Sequence, residues 1–111
     1  MEMVTTTKRF DVYLVNLDPT QGSEIQKTRP CIIISPNEMN KYLNTVIILP
    51  MTSQGKEYPT RIPCSFDGKN GLIILDQIRT TDKSRLVKKL GTIDSPTGKK
   101  VLVALKAMFE E

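Results

Sequence analysis

Two polar stretches border apolar runs and carry groups able to do chemistry. The first gives Gly22-Ser23-Glu24 and then Lys27-Thr28-Arg29-Pro30; the second gives Pro50-Met51-Thr52-Ser53-Gln54-Gly55-Lys56. Arg29 precedes one apolar run and Thr52 follows another, so if those runs are neighbouring strands the two side chains meet over one hollow. A guanidinium beside a hydroxyl is a clamp for a phosphate or an oxyanion. The plainer reading is that Arg29 is a solvated charge and Thr52-Ser53 a turn. A third stretch, Asp76-Gln77-Ile78-Arg79, places a carboxylate after Leu72-Ile73-Ile74-Leu75. There an ion pair with a cation such as Arg79 or Arg85 is favoured over a solitary acid.

What is missing narrows the chemistry further. The 111 residues include no histidine, which excludes imidazole-activated nucleophiles, His acid/base pairs and Cys/His zinc sites. The work falls to carboxylates, hydroxyls, Arg, Lys or Tyr, and no metal or cofactor is expected. Cys31 and Cys64 have no second ligand nearby in sequence and read as reduced thiols in or beside strands. A net charge of +4 mildly favours a polyanionic partner. Lys83, Arg85, Lys88 and Lys89, with Lys99, Lys100 and Lys106 beyond them, form either a nucleic-acid face or ordinary solvated surface. Of the few aromatic residues able to stack on a base, Tyr58 is the one expected to be most exposed.

The elements that must position these groups follow from periodicity. Residues 1–8 read as a flexible leader, and residues 9–111 as a single domain. Phe10, Val12 and Leu14 alternate along a half-buried strand from Phe10 to Leu17. A long exposed loop runs from Asp18 to Arg29, followed by a strand over Cys31–Ser35. Asn37 caps a helical turn through Tyr42; Thr45 to Leu49 is a buried strand that Pro50 stops. Thr60 to Phe66 and Leu72 onward form a hairpin through Asp67-Gly68 and Asn70-Gly71, the second strand continuing to Thr80. Leu86, Val87 and Leu90 fit a short helix, but the preferred reading is a turn at Asp82–Ser84 that feeds a last strand, Leu86 to Ile93. Ser95 then caps a helix with Pro96 in its first turn, its apolar face Val101, Leu102, Leu105, Met108 and Phe109, and its start loosened by Gly98.

Short strands, polar loops and too few helices for βαβ alternation indicate a mainly β, α+β fold: a small antiparallel barrel or tightly curved sheet with one C-terminal helix. Apolar runs are too short to span a bilayer, and the N-terminus lacks a secretory pattern, so a cytoplasmic protein is expected.

Taken together, Asp18-Pro19-Thr20, Gly22-Ser23-Glu24, Thr28-Arg29-Pro30, Pro50-Met51-Thr52-Ser53, Leu75-Asp76-Gln77-Ile78-Arg79-Thr80 and Ser84-Arg85-Leu86 resemble the MazF/PemK toxin family over about residues 9 to 109. The resemblance implies an SH3-like, CcdB/PemK-like barrel with a C-terminal helix, working as a homodimer. It also implies a ribosome-independent, sequence-specific endoribonuclease, the toxin of a type II toxin–antitoxin pair. By the same resemblance Arg29 and Thr52 are the catalytic pair, and Glu24, Ser53, Gln54, Lys56, Asp76 and Gln77 line the site or bind RNA. The implied partners are single-stranded RNA and an acidic, MazE-like antitoxin. Some plasmid-type members are assigned an Arg two places before the Asp-Gln pair and a His in the first loop; this chain has Ile74 and no His, so that acid/base assignment does not transfer.

The implied reaction is attack of a ribose 2′-hydroxyl on the adjacent phosphorus, which needs no metal and leaves a 2′,3′-cyclic phosphate and a 5′-hydroxyl. Glu24, Asp76 or weak base assistance with in-line positioning are the open routes for the proton. Two other classes compete: a non-catalytic nucleic-acid-binding barrel, and a CcdB-like gyrase poison. The latter depends on a Trp-containing tail, whereas this chain ends Met108-Phe109-Glu110-Glu111.

Overall fold

The apolar runs become strands that pair antiparallel throughout. β1 (Asp11–Asn16) pairs with β2 (Thr28–Ile33), and β2 with β3 (Thr45–Thr52). β4 (Arg61–Phe66) and β5 (Lys69–Ile74) form the hairpin; β6 (Arg79–Asp82) lies along the first half of β3, and β7 (Leu86–Thr92) along β1. The resulting order is β4-β5-β3-β2-β1-β7, with β6 on β3. The sheet curls until its two ends approach. The Phe66 ring on β4 lies 3.0 Å from where a side chain on Gly91 of β7 would begin. Among the described residues two α-helices complete the fold, α1 (Asn37–Tyr42) and α2 (Ser95–Met108). This computed structural model describes residues 7–111. Most of the expected leader lies outside the described residues; Thr7 is buried, and Lys8 N–H donates to Asp11 Oδ2 at 2.9 Å.

Alternate residues of the central strands feed two apolar clusters. Val12, Ile32, Leu49 and Met51 face one, together with Ile73 and Val101; Tyr13, Val15, Cys31, Ile33 and Ile48 face the other. β1 is therefore buried on both faces rather than half-buried as its alternation implied. Its polar member Asp11 is accommodated because Lys89 Nζ lies 3.4 Å away.

Several expected boundaries move. Pro50 does not stop β3, which continues to Thr52. A proline fits there because the strand changes partner: β2 accompanies it as far as Pro50, and β5 takes over at Met51. β5 does not continue to Thr80. A 3-10 turn at Leu75–Gln77, fixed by Leu75 N–H donating to Thr60 O at 2.8 Å, redirects the chain to the far half of β3. Asp67 and Gly68, at φ 53° and 76°, make the tight hairpin turn, whereas Asn70-Gly71 lies within the strand.

The helix caps also differ. Asn37 opens α1, yet its side chain caps nothing and instead accepts from Arg9 N–H at 2.7 Å. Asp94, not Ser95, caps α2 by accepting from Thr97 N–H at 3.0 Å. Gly98 does not loosen this end: it is buried, and the Phe10 ring occupies the space a side chain would need, 2.6 Å from an ideal Cβ. Val101, Leu102, Leu105 and Met108 pack on the sheet as expected, while Phe109, beyond the last turn, is exposed.

Candidate active site

The β2–β3 ladder ends at Cys31 opposite Pro50. Two residues further along each strand stand Arg29, which pairs with Val15 of β1, and Thr52, which pairs with Leu72 of β5. Both line a hollow of about 320 Å³, with Ser53 beside them. Met51, Cys64, Phe66 and Leu90 give the hollow apolar walls, and the β4–β5 hairpin adds Asp67, Lys69 and Asn70. β5 can approach this closely because residue 71 is glycine: a Cβ there would fall 2.7 Å from the carbonyl oxygen of Thr52.

Both principal side chains are oriented by their own loops. Arg29 is exposed, and its Nε donates to the carbonyl of Gln26 at 3.2 Å, leaving the rest of its donor fork for an anion. Thr52 Oγ1 accepts from Gln54 N–H at 3.2 Å, which turns the hydroxyl hydrogen away from that loop and leaves it to donate.

A second hollow, of about 420 Å³, is lined by Glu24, Asp76, Gln77 and Arg79 with Pro19 and Pro50. The candidate residues therefore divide. Arg29, Thr52 and Ser53 share the first hollow; Glu24, Asp76 and Gln77 share the second; the two flank the end of β3. Gln54 and Lys56 are exposed on the loop after β3 and line neither.

The polar groups of the second hollow are engaged. Asp76 pairs with Arg61, not with Arg79 or Arg85: Arg61 Nε and Nη2 donate to its two oxygens at 3.1 and 3.2 Å, and Thr60 Oγ1 adds a bond at 3.1 Å. The Arg61 guanidinium, helped by the Thr60 hydroxyl, holds this carboxyl below its usual range. Gln77 Oε1 accepts from Ile25 N–H at 2.7 Å, and its Nε2 donates to Ser23 O at 3.3 Å. Glu24 Oε1 accepts from Gln21 N–H at 2.8 Å. Arg79 and Arg85 instead fix the neck of the same loop, donating to the carbonyl of Leu17 and to those of Asn16 and Asp18. Asp18 Oδ1 closes that neck by accepting from Lys27 N–H at 2.9 Å.

The chain matches a family described as PemK-like, MazF-like toxin of type II toxin-antitoxin system over residues 8–109. It belongs to this toxin family. It is 39% identical over 102 residues to the Endoribonuclease MazF of Staphylococcus saprophyticus, covering 85% of this chain and 83% of that protein. The fold is similar to the MazF of Deinococcus radiodurans, with a TM-score of 0.82 at 24% identity over 93% of this chain and 96% of the other. It is also similar to a mycobacterial endoribonuclease solved with its cognate antitoxin, with a TM-score of 0.78 at 24% identity, covering 91% and 92%. The barrel with a C-terminal helix expected for a MazF/PemK toxin is thus the fold observed. Among the described residues no helix is long and apolar enough to cross a membrane.

Two residues that line the first hollow, and one that holds a residue of the second, escaped the sequence. Lys69 and Asn70 sit beyond a turn whose Asp-Gly signal marks the hairpin but not which way it leans. Arg61 reaches Asp76 from 15 positions away, across a hairpin, with no motif to mark it. The base-stacking candidate also shifts: Tyr58 is 54% exposed, less than Tyr42 and Phe109 at 70% each.

Proposed function

We propose that this toxin is a ribosome-independent, sequence-specific endoribonuclease that cleaves single-stranded RNA without a metal, leaving 2′,3′-cyclic phosphate and 5′-hydroxyl ends. The observation that carries the proposal is that Arg29 and Thr52 line one hollow beyond the end of the β2–β3 ladder. The scissile phosphate sits between them. Arg29 clamps the negative charge that grows on the phosphorane oxygens and donates toward the leaving 5′ oxygen; the Thr52 hydroxyl donates to a non-bridging oxygen.

The attacking 2′-hydroxyl belongs to the substrate, so the enzyme's task is in-line alignment and charge stabilisation. Neither carboxylate named from the sequence shares the hollow of Arg29 and Thr52, and both Asp76 oxygens already accept from Arg61. This favours weak base assistance over a dedicated carboxylate base. RNA running past the end of β3 meets Ser53, Gln54 and Lys56 on one loop and Glu24 and Gln77 around the second hollow, where Asp76 is held by Arg61. Bases read this way must be unstacked, so hairpin stems are spared. The toxin works as a homodimer in the cytoplasm and is neutralised by an acidic, MazE-like antitoxin.

The test is a short RNA incubated with purified protein in EDTA, with both fragment ends identified. Arg29→Ala should reduce kcat roughly a hundredfold to a thousandfold while KM changes little. Thr52→Val, which removes only the hydroxyl, should fall comparably, and Thr52→Ser should stay within a few-fold of wild type. A 2′-deoxy substitution at the cleaved nucleotide should abolish the reaction. Cleavage of that oligonucleotide, or full activity in Arg29→Ala, would overturn the scheme; binding without cleavage would leave the non-catalytic barrel.

A further inference from the structure

The loop of residues 18–27 and the loop of residues 53–60 reach the site from opposite sides of β3. Polar contacts through the Leu75–Gln77 turn join them, from Thr60, whose Oγ1 donates to Asp76 Oδ1 at 3.1 Å, and from Arg61. Tyr58 forms an isolated bridge with Arg61, whose guanidinium lies 5.3 Å from the centre of the Tyr58 ring. Arg61 grips both oxygens of Asp76 at 3.1 and 3.2 Å. Asp76 and Gln77 belong to the same 3-10 turn, so holding one sets the other. Gln77 then grips the first loop at Ile25 N–H and Ser23 O. On its β4 side the turn is also pinned through Leu75 N–H to Thr60 O. That bond fixes its start, whereas the Arg61 pair fixes the residue adjacent to Gln77.

We propose that Arg61 is a positioning residue for RNA recognition: by clamping Asp76 while lying over Tyr58, it makes the two loops flanking the catalytic pair move as one unit. Residues of both loops are then presented to RNA at a fixed separation, although Arg61 lines neither hollow. A two-point guanidinium–carboxylate bond suits this task because it fixes orientation as well as distance. Asp76 correspondingly acts through its partners, holding Gln77, and not as the proton acceptor. The activity part of this inference rests on the ribonuclease reading; its mechanical part does not.

Two measurements test it. The first is amide hydrogen exchange in the free protein. Arg61→Ala should speed exchange at Ile25 at least tenfold, although residue 25 is remote in sequence and lies on the other loop. Unchanged exchange at Ile25 would overturn the coupling whether or not the protein cleaves RNA. The second is cleavage of a short RNA. Arg61→Ala should raise KM about tenfold and blur the preference among cleavage sites, with kcat within threefold of wild type. Arg61→Lys, which keeps the charge but loses the two-point grip, should recover less than half of that loss on a logarithmic scale. Asp76→Ala, which also loses the Thr60 Oγ1 bond, should equal or exceed Arg61→Ala, and the double variant should be no worse than Asp76→Ala alone, because the Arg61 effect passes through Asp76. Additive losses, or a kcat collapse confined to Asp76→Ala, would overturn the proposal by giving Asp76 its own contact with the substrate. A wild-type protein inactive on every RNA would instead remove the ribonuclease reading and leave the exchange result to decide the coupling.

Discussion

At the scale of single residues, the two cysteines show how position governs chemistry in this toxin. Cys31 lies in β2 with none of its surface exposed, and burial pushes its thiol up to about 12. Cys64 is only partly buried on the wall of the hollow that Arg29 and Thr52 line; burial, with the Asp94 carboxylate nearby, also raises its pKa. Alkylation proceeds through the thiolate and requires access, so iodoacetamide at neutral pH should modify Cys64 first, leaving Cys31 untouched until the protein unfolds. Peptide mapping after timed quenching reads this directly, and early loss of Cys31 would contradict the packing. Modification of Cys64 should also slow cleavage, because the added group enters the hollow shared with Arg29 and Thr52. The sequence placed Arg29 and Thr52 beside one hollow because strand ends are marked by composition: Arg29-Pro30 before a β-branched run, and Pro50-Met51-Thr52 after another. It assigned Asp76 to the wrong cation because a hairpin partner is set by strand return, a non-local event that residue spacing does not encode.

Elements were legible where local chemistry decides them and obscure where a neighbouring element does. Asp67-Gly68 makes a turn because both residues adopt positive φ, whereas Asn70-Gly71, the same kind of signal, lies in a strand because Thr52 needs β5 close by. Gly71→Ala should therefore act through a packing clash and not through turn geometry. The atom in the way is a backbone oxygen, which cannot rotate aside, so the substitution should cost about 1–3 kcal/mol in urea unfolding. It should also lower kcat, since the displaced group is Thr52, the proposed hydroxyl donor. Intact activity would show that β5 yields instead. At α2 the cap is a carboxylate, and the Thr97 N–H and hydroxyl hold Asp94 below its usual pKa. A depressed carboxyl pKa stabilises the fold above the unfolded value, near 4, and that contribution disappears as pH falls through the lowered folded value. Asp94→Asn keeps an acceptor but removes the titration, so its melting temperature should depend less on pH in that acid window than the wild type's. Ser95→Ala, which leaves the Asp94 cap in place, should retain the wild-type profile.

For the whole molecule, the net charge of +4 says that an anion is favoured but not where it binds, and the fold narrows the choice. Much of the basic surface visible in the sequence has structural employment: Lys83 donates to the carbonyl of Asn40, Arg85 to those of Asn16 and Asp18, and Lys89 pairs with buried Asp11. Lys106 sits in the last turn of α2, which packs on the sheet through its apolar residues. Arg79 lines the second hollow but donates to the carbonyl of Leu17, which leaves Arg29 and Lys69 in the first hollow and Lys56 on the adjoining loop as the cations beside the proposed RNA path. Each phosphate neutralised on a single strand releases condensed counterions, with a slope of about −0.7 in log affinity against log salt. Three such contacts give a slope of about −2 for binding of an uncleavable oligonucleotide carrying a 2′-deoxy substitution at the cleaved position. Lys69→Gln should lessen that slope by about 0.7, because it removes one contact, whereas Lys106→Gln should leave it alone. A slope much steeper than −2 that relaxes on changing Lys106 would mean that the footprint extends over the helix, and that the basic residues of α2 bind RNA after all.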